Sequence, residues 1–221
     1  MSDLQRIAIY GAGGFGREVA WLLSEQERAG EVDVIGFIED GAVGEHFLNG
    51  KPVLSWDAFR ATYDDALVAL AVGNPRARRL LMTKCAAEGY LFPTLTHESV
   101  QKSDFVTIAS GAIICAGSIM TVNITIAGHA HINLDCTIGH DVCIGEFATI
   151  APGVHVSGNV HIGCGAYVGT GATIVNGSSD EPLMIGDGAV IAAGACVTRS
   201  TAANAMYAGV PAELKKMLPA W

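Results

Sequence analysis

A bulky apolar residue returns every six positions through the second half of the chain, and no other feature constrains the fold as tightly. The series runs Ile108, Ile114, Met120, Ile126, Ile132, Ile138, Ile144, Ile150, Val156, Ile162, Val168 and Ile174, then resumes at Ile185, Ile191 and Val197. The step from Ile174 to Ile185 is one repeat plus a five-residue insertion within Asn176–Pro182. A second series, mostly small or β-branched, sits four residues after each anchor: Ala112, Ser118, Ile124, Ala130, Cys136, Val142, Ala148, Val154, Val160, Ala166, Ala172, Ala189 and Ala195. A period of 3.6 would carry these anchors off a helix face within a few repeats. A period of two would put apolar residues at three of every six positions, which is not what recurs. Six residues instead make one flat side and one corner of a triangular prism, and three such units close a coil. The anchor points inward, and the small residue fits the tight corner. Gly often follows the anchor, as in Ile138-Gly139 and Ile162-Gly163, and gives the corner its geometry without a Cβ penalty. Fifteen anchors at three per coil predict five coils.

Repeats of this kind resemble those of left-handed parallel β-helices. The left hand is what the resemblance implies, because parallel crossovers ordinarily run right-handed. Chance alternation in a β-sandwich is the bland alternative, set against fifteen anchors in one register.

The first half reads differently. Ile7–Tyr10 is a buried strand by pattern, Arg17–Glu27 a helix, Val34–Ile38 a second strand, Ala66–Val72 a third, and Arg76–Glu88 another helix. Between the first strand and helix lies Gly11-Ala12-Gly13-Gly14-Phe15-Gly16, a G-x-G-x-x-G turn, with Asp40 after the second strand. Such glycines let backbone approach phosphate oxygens, whose charge a helix N-terminus favours. Alternatively, Gly13 and Gly14 only let the turn close on the helix. A segment of this length offers one mononucleotide half, which suits a nucleoside diphosphate better than a dinucleotide. The expected organisation is a Rossmann-like α/β domain over 1–95 and an all-β helix domain with a C-terminal tail over 96–221. Pro93 and 94–103 read as the connection.

Bulk properties narrow the function. A net charge of −9 argues against nucleic-acid binding. No apolar run reaches membrane-spanning length, and Met1–Arg6 lacks a signal-peptide pattern, so a cytoplasmic protein is expected. Six cysteines without a CxxC pair read as reduced and structural. A mean hydropathy of +0.37 points to surface buried between subunits.

Taken together, Tyr10–Glu18, Gly36–Asp40, Ala71–Asn74, Ile138-Gly139-His140-Asp141 and Gly209-Val210-Pro211-Ala212 resemble the sugar O-acyltransferase family. That family includes sialic acid O-acetyltransferases and N-acetyltransferases of nucleotide-linked 4-amino sugars. Within it the chain looks most like GDP-perosamine N-acetyltransferases, down to the Glu181-Pro182-Leu183 insertion.

The resemblance implies an acetyl-CoA-dependent transferase of surface polysaccharide biosynthesis, O-antigen included. It implies a homotrimer with active sites shared between subunits. His140 would be the general base and Asp141 its orienting carboxylate. Asn133 would position the amine or the imidazole, and Gly158 would offer its N–H to the thioester oxygen. Gly11, Gly13, Gly14, Phe15, Gly16, Asp40, Gly73 and Asn74 would bind the nucleotide sugar. Asp40 would accept two hydrogen bonds from guanine or one from uracil or thymine. Gly158, Gly169, Thr170, Ala192, Ala193, Gly194, Gly209 and Pro211 would meet acetyl-CoA. Lys215 and Lys216 either approach its phosphates or lie on a solvated C-terminal helix. The chemistry of the dyad stands by itself: an imidazole accepts a proton near neutral pH, and a carboxylate orients the ring.

His131, His155, His161 and His129 read as solvated or interface residues. Three rivals remain open. They are a zinc carbonic anhydrase needing three converging histidines, a non-catalytic nucleotide-binding β-helix, and transfer to a sugar hydroxyl. No metal is expected on the acetyltransferase reading.

Overall fold

A computed structural model describes residues 4–44 and 46–221. The signal-peptide reading falls partly on Met1–Asp3, outside the described residues. The chain divides into two compact units, one of Met1–Gly73 with Ala77–Pro93, the other of Asn74–Arg76 with Thr94–Trp221.

In the first unit, β1 (Gln5–Tyr10), α1 (Gly14–Arg28), β2 (Val32–Ile38), β3 (His46–Leu48), β4 (Lys51–Leu54), α2 (Trp56–Arg60), β5 (Leu67–Leu70) and α3 (Pro75–Ala87) follow in order. The described strands form one sheet in the order β3-β4-β2-β1-β5. All neighbours pair in parallel except β3 with β4. The β3–β4 hairpin and the short α2 were not expected from the pattern, being too brief to set up a period. Ser55 caps α2, its Oγ accepting from the Ala58 N–H at 3.2 Å. Ile7, Ile9, Phe37, Ile38, Val68 and Leu70 are buried, as a parallel sheet covered on its faces requires.

The second unit is a left-handed parallel β-helix with three faces. Face one carries Ile113–Ile114, His131–Ile132, Thr149–Ile150, Tyr167–Val168 and Val190–Ile191. Face two carries Ile119–Met120, Thr137–Ile138, His155–Val156, Thr173–Ile174 and Cys196–Val197. Face three carries Val106–Ile108, Ile124–Ile126, Cys143–Ile144, Val160–Ile162 and Leu183–Ile185. Each strand pairs with the one a coil later, as Ile138 does with Val156. Every anchor but Ile108 is buried, and so is every residue of the second series. Both series therefore line one continuous core. At about 25 cal/mol per Å² of apolar surface, that column dominates the stability of the unit.

Three local expectations are corrected. Leu95–Thr96 and Gln101–Lys102 already pair with the strands of the next coil, so the presumed connection is itself the opening coil. The tail is a strand, Glu213–Met217, antiparallel to Ala205–Ala208, and not a helix. It continues the sheet of face one, where ladder hydrogen bonds outweigh the weak helix preference of so short a segment. His131 is fully buried, and so is not a solvated histidine.

Candidate active site

The corner between faces two and three, the second edge, recurs at Asn123, Asp141 and Asn159, with φ of 55°, 58° and 55°. Asn and Asp tolerate this left-handed region better than other side chains. Beside Asp141, the His140 Nδ1 lies 2.8 Å from Asp141 Oδ2. The other carboxylate oxygen, Oδ1, accepts from Asn123 Nδ2 at 3.0 Å. The His140 and then the Asn123 hydrogen bonds hold the Asp141 carboxyl below its ordinary range.

One coil on, the imidazole lies against Gly158. A Cβ placed there would fall 2.9 Å from His140 Cδ2 and nearer still to Cε1 and Nε2. Glycine at 158 is thus what gives the Nε2 edge of the ring room on the corner. Gly158 is buried, and among the described residues its N–H meets no acceptor. At the corresponding place on the edge between faces three and one, the Cys164 N–H is capped by Asp187 Oδ1 at 2.8 Å. The five-residue insertion leaves this same second edge, with the Gly177 N–H donating to Gly158 O at 3.0 Å.

The remaining expected residues of this domain lie on the first edge, between faces one and two. Thr170, Ala193 and Gly194 are exposed there, and the Gly194 N–H donates to Thr170 O at 2.8 Å. Gly169 is explained by packing, since a Cβ there would meet Ala193 N at 2.6 Å. Gly194 is open to solvent at φ +66°. Ala192 donates to Tyr207 O at 2.8 Å, while Gly209 and Pro211 are exposed just beyond that strand. Lys215 pairs with Glu213 at 3.6 Å. Asn133 is on this edge too. Its Nδ2 donates to Ile150 O at 3.0 Å, so within one chain it holds the backbone and does not meet His140.

In the first unit, expected residues gather at the carboxyl ends of β1, β2 and β5. Gly11 (φ +116°) and Gly16 are required by the fold. A Cβ at Gly11 would meet Ala71 O at 2.8 Å, and one at Gly16 would overlap the Gly11 carbonyl. A Cβ at Gly13 meets nothing within 4 Å, and one at Gly14 meets only the Arg17 Nη2 at 4.0 Å. Closing the turn therefore does not explain these two glycines. They leave the α1 N-terminus bare, the arrangement a phosphate uses. Phe15 is half-buried in the first turn of α1.

Asp40 is already engaged. Its Oδ1 accepts from Lys84 Nζ and Tyr10 OH, both at 2.7 Å. Burial works to raise the Asp40 carboxyl, but these two hydrogen bonds outweigh it and hold the group below its usual range. The Lys84 ammonium also lies over Trp56, 4.8 Å from the ring centroid. Among the described residues only Oδ2 remains for a ligand, so guanine cannot be held by both oxygens. Gly73 O and Val72 O accept from the buried Arg78 Nη1 at 3.3 and 2.7 Å. Asn74, at the start of α3, groups with the second unit.

Sequence reasoning missed Asn123, Tyr10, Lys84 and Trp56. Asn123 carried a signal: it stands one whole coil before Asp141. The other three carried none. Among the described residues no group of three or more His, Cys, Asp or Glu is placed to hold a metal ion. No helix there is long and apolar enough to cross a membrane.

Comparison with known proteins bears on both units. Residues 6–85 match the PglD N-terminal domain. The chain is 35% identical over 136 residues to a GDP-perosamine N-acetyltransferase of Escherichia coli O157:H7, covering 60% of this chain and 61% of the relative. The match thus spans about three fifths of that relative's length. The structure of WeeI from Acinetobacter baumannii AYE is similar with a TM-score of 0.90 and 36% identity, covering 96% of this chain and 100% of that one. So is a histidine-to-asparagine variant of perosamine N-acetyltransferase from Caulobacter crescentus, in complex with CoA and GDP-perosamine. Its TM-score is 0.85 at 25% identity, over 95% of this chain and 96% of that one.

Proposed function

Because the chain belongs to the family of sugar acetyltransferases that set a PglD N-terminal domain before a hexapeptide-repeat β-helix, we propose that it acetylates the C4 amine of a nucleotide-linked amino sugar, using acetyl-CoA. The observation that carries this reading is the His140 ring, tied at Nδ1 to Asp141 and laid with its Nε2 edge on Gly158. An ionised Asp141 keeps the proton on Nδ1 and leaves the Nε2 lone pair open. Nε2 then takes the proton that the amine sheds as its nitrogen bonds to the acyl carbon, and gives it to the departing sulfur as the carbon–sulfur bond breaks, so that CoA leaves as the thiol. The uncapped Gly158 N–H is aimed at the oxygen on which charge develops, where a preorganised donor counts most. Acetyl-CoA, when bound, supplies the activated thioester.

The first edge fits that co-substrate. Thr170, Ala192, Ala193, Gly194, Gly209 and Pro211 leave backbone accessible along several coils, where a pantetheine arm needs amide partners and little bulk. That edge is separated from His140 by a whole face of the prism. This separation supports a homotrimer in which the first edge of one copy, Asn133 included, meets the second edge of another. The bare Gly13-Gly14 turn takes the pyrophosphate, with Gly73 of the same unit, and Asp40 Oδ2 accepts one N–H from the base. We take GDP-perosamine as the acceptor from the relative's name, for cytoplasmic surface polysaccharide biosynthesis.

The test is acetyl-CoA turnover against GDP-, UDP- and dTDP-linked 4-amino sugars, followed by thiol release. His140→Ala should lower kcat by about 10²- to 10⁴-fold with acceptor binding kept. Full turnover in that variant would remove the reading, and transfer only to hydroxyl acceptors would move it to O-acetylation.

A further inference from the structure

A carboxylate on a prism corner has a freedom that a general base cannot tolerate in its partner. About half of the Asp141 side chain is exposed. With His140 as its one partner, it would rotate and take the imidazole with it. Its two oxygens are instead divided, Oδ2 to His140 Nδ1 at 2.8 Å and Oδ1 to Asn123 Nδ2 at 3.0 Å. Asn123 reaches Asp141 because the strands before the two corners stack in register, Ile119 against Thr137 and Met120 against Ile138. The Asp141 N–H also donates to Val122 O at 3.1 Å, which fastens the backbone of one corner to the other. On the opposite side, the Asn159 N–H donates to His140 O at 2.9 Å. Backbone hydrogen bonds therefore hold the corner from both sides, and among the described residues Asn123 is the one side chain besides His140 that holds the carboxylate.

We propose that Asn123 is a positioning residue for the acetyl transfer, its amide clamping the Asp141 carboxylate so that His140 stays on Gly158 with Nε2 presented to the amine. The inference rests on the function proposed above. An asparagine at φ 55° also has a bland explanation, the making of the corner itself. Two variants divide the roles. Asn123→Gly adopts the same backbone freely and deletes the amide. Asn123→Asp keeps the size and the left-handed tolerance but replaces the donor with a second carboxylate. The corners packed on the dyad contribute Thr121, Val122 and Asn123 on one side and Ser157, Gly158 and Asn159 on the other, none of them titratable. The adjoining faces and the insertion carry the titratable residues His155 on face two, Cys143 and His161 on face three, and Asp180 and Glu181. His155 is occupied with Thr137 Oγ1 at 2.8 Å.

The experiment uses the full chain. Asn123→Gly should lower kcat about 10-fold, with both KM values and the melting temperature near wild type, as loss of orientation without loss of binding requires. Asn123→Asp should move the acid limb of the kcat profile to higher pH, since added negative charge favours the protonated ring. In an Asp141→Gly background, Asn123→Gly should add nothing further, because the two act as one unit. Nitrogen-15 spectra of the imidazole give a readout independent of turnover, and the Nδ1-protonated tautomer should lose population in Asn123→Gly. Wild-type kcat, pH profile and tautomer in both variants, alongside an inactive His140→Ala, would overturn the role of Asn123 and leave the proposed function standing. A wild-type protein that transfers no acetyl group would overturn the function instead, and the tautomer would still report whether Asn123 holds the pair.

Discussion

Replacing Gly158 with alanine should separate catalysis from stability. The backbone at 158 is outside the left-handed region, so alanine can adopt it. The clash is with the His140 ring, 2.9 Å away at Cδ2 and less at Cε1 and Nε2. Ordinary contact begins at 3.4 Å, so the ring must retreat by about 1 Å, well up the repulsive wall of the contact. The same movement stretches the 2.8 Å bond from Nδ1 to Asp141 beyond hydrogen-bonding range. Pushing an exposed side chain off its rotamer costs roughly 0.5–1.5 kcal/mol. Removing a glycine from the unfolded chain returns about 0.4–1 kcal/mol. The net change is within about 1 kcal/mol, a melting shift of no more than about 4 °C for a chain of this size. A base misplaced by about 1 Å loses on the order of 100-fold in turnover. Calorimetry and thiol-release kinetics on one preparation measure both quantities. Near-wild-type kcat would refute the placement of the ring as the source of activity. A melting temperature lower by 10 °C or more would show that backbone yields in place of the ring, contrary to the geometry.

Four further outcomes follow from the same kind of reasoning. Gly16→Ala drives its Cβ into the Gly11 carbonyl, where no side chain can swing aside, and should destabilise the first unit by about 3 kcal/mol in urea titration. Gly13→Ala should leave stability within about 0.5 kcal/mol, since a Cβ there meets nothing within 4 Å, while on the proposed function it weakens nucleotide-sugar affinity by calorimetric titration. The Asp40 carboxyl is held below the roughly 3.9 of an unfolded chain. Its contribution is therefore present above about pH 4 and lost as pH falls through the lower folded value. Asp40→Asn should cost a few tenths to about 1 kcal/mol at pH 7, given its exposure, and the gap should close as pH falls through that lower folded value. Burial pushes the Cys136 thiol up to about 11. Iodoacetamide at pH 8 should accordingly spare Cys136 in the folded protein and label the exposed Cys143, as peptide mapping would reveal.

A period of six with a small residue in fixed phase has one solution for burying its apolar face, so Ile114 through Val197 declare the three-sided coil by themselves. The turn Gly11–Gly16 between a strand and a helix likewise declares a parallel α/β unit, and His140-Asp141 sets an imidazole beside a carboxylate, the pair the proposed function uses. These are local patterns, and local physics decides them. Partnership across coils is different. That Asn123 clamps Asp141, that Gly158 seats the ring, and that Asn133 lies on another edge depend on which corners stack. That Asp40 is spoken for by Lys84 and Tyr10 depends on how α3 packs on the sheet. Residues far apart in the chain become neighbours only through closure of the coil and pairing of the strands. The tail shows the same limit, because Glu213–Met217 carries no strand signal of its own and becomes one only where the Ala205–Ala208 edge offers unpaired backbone groups.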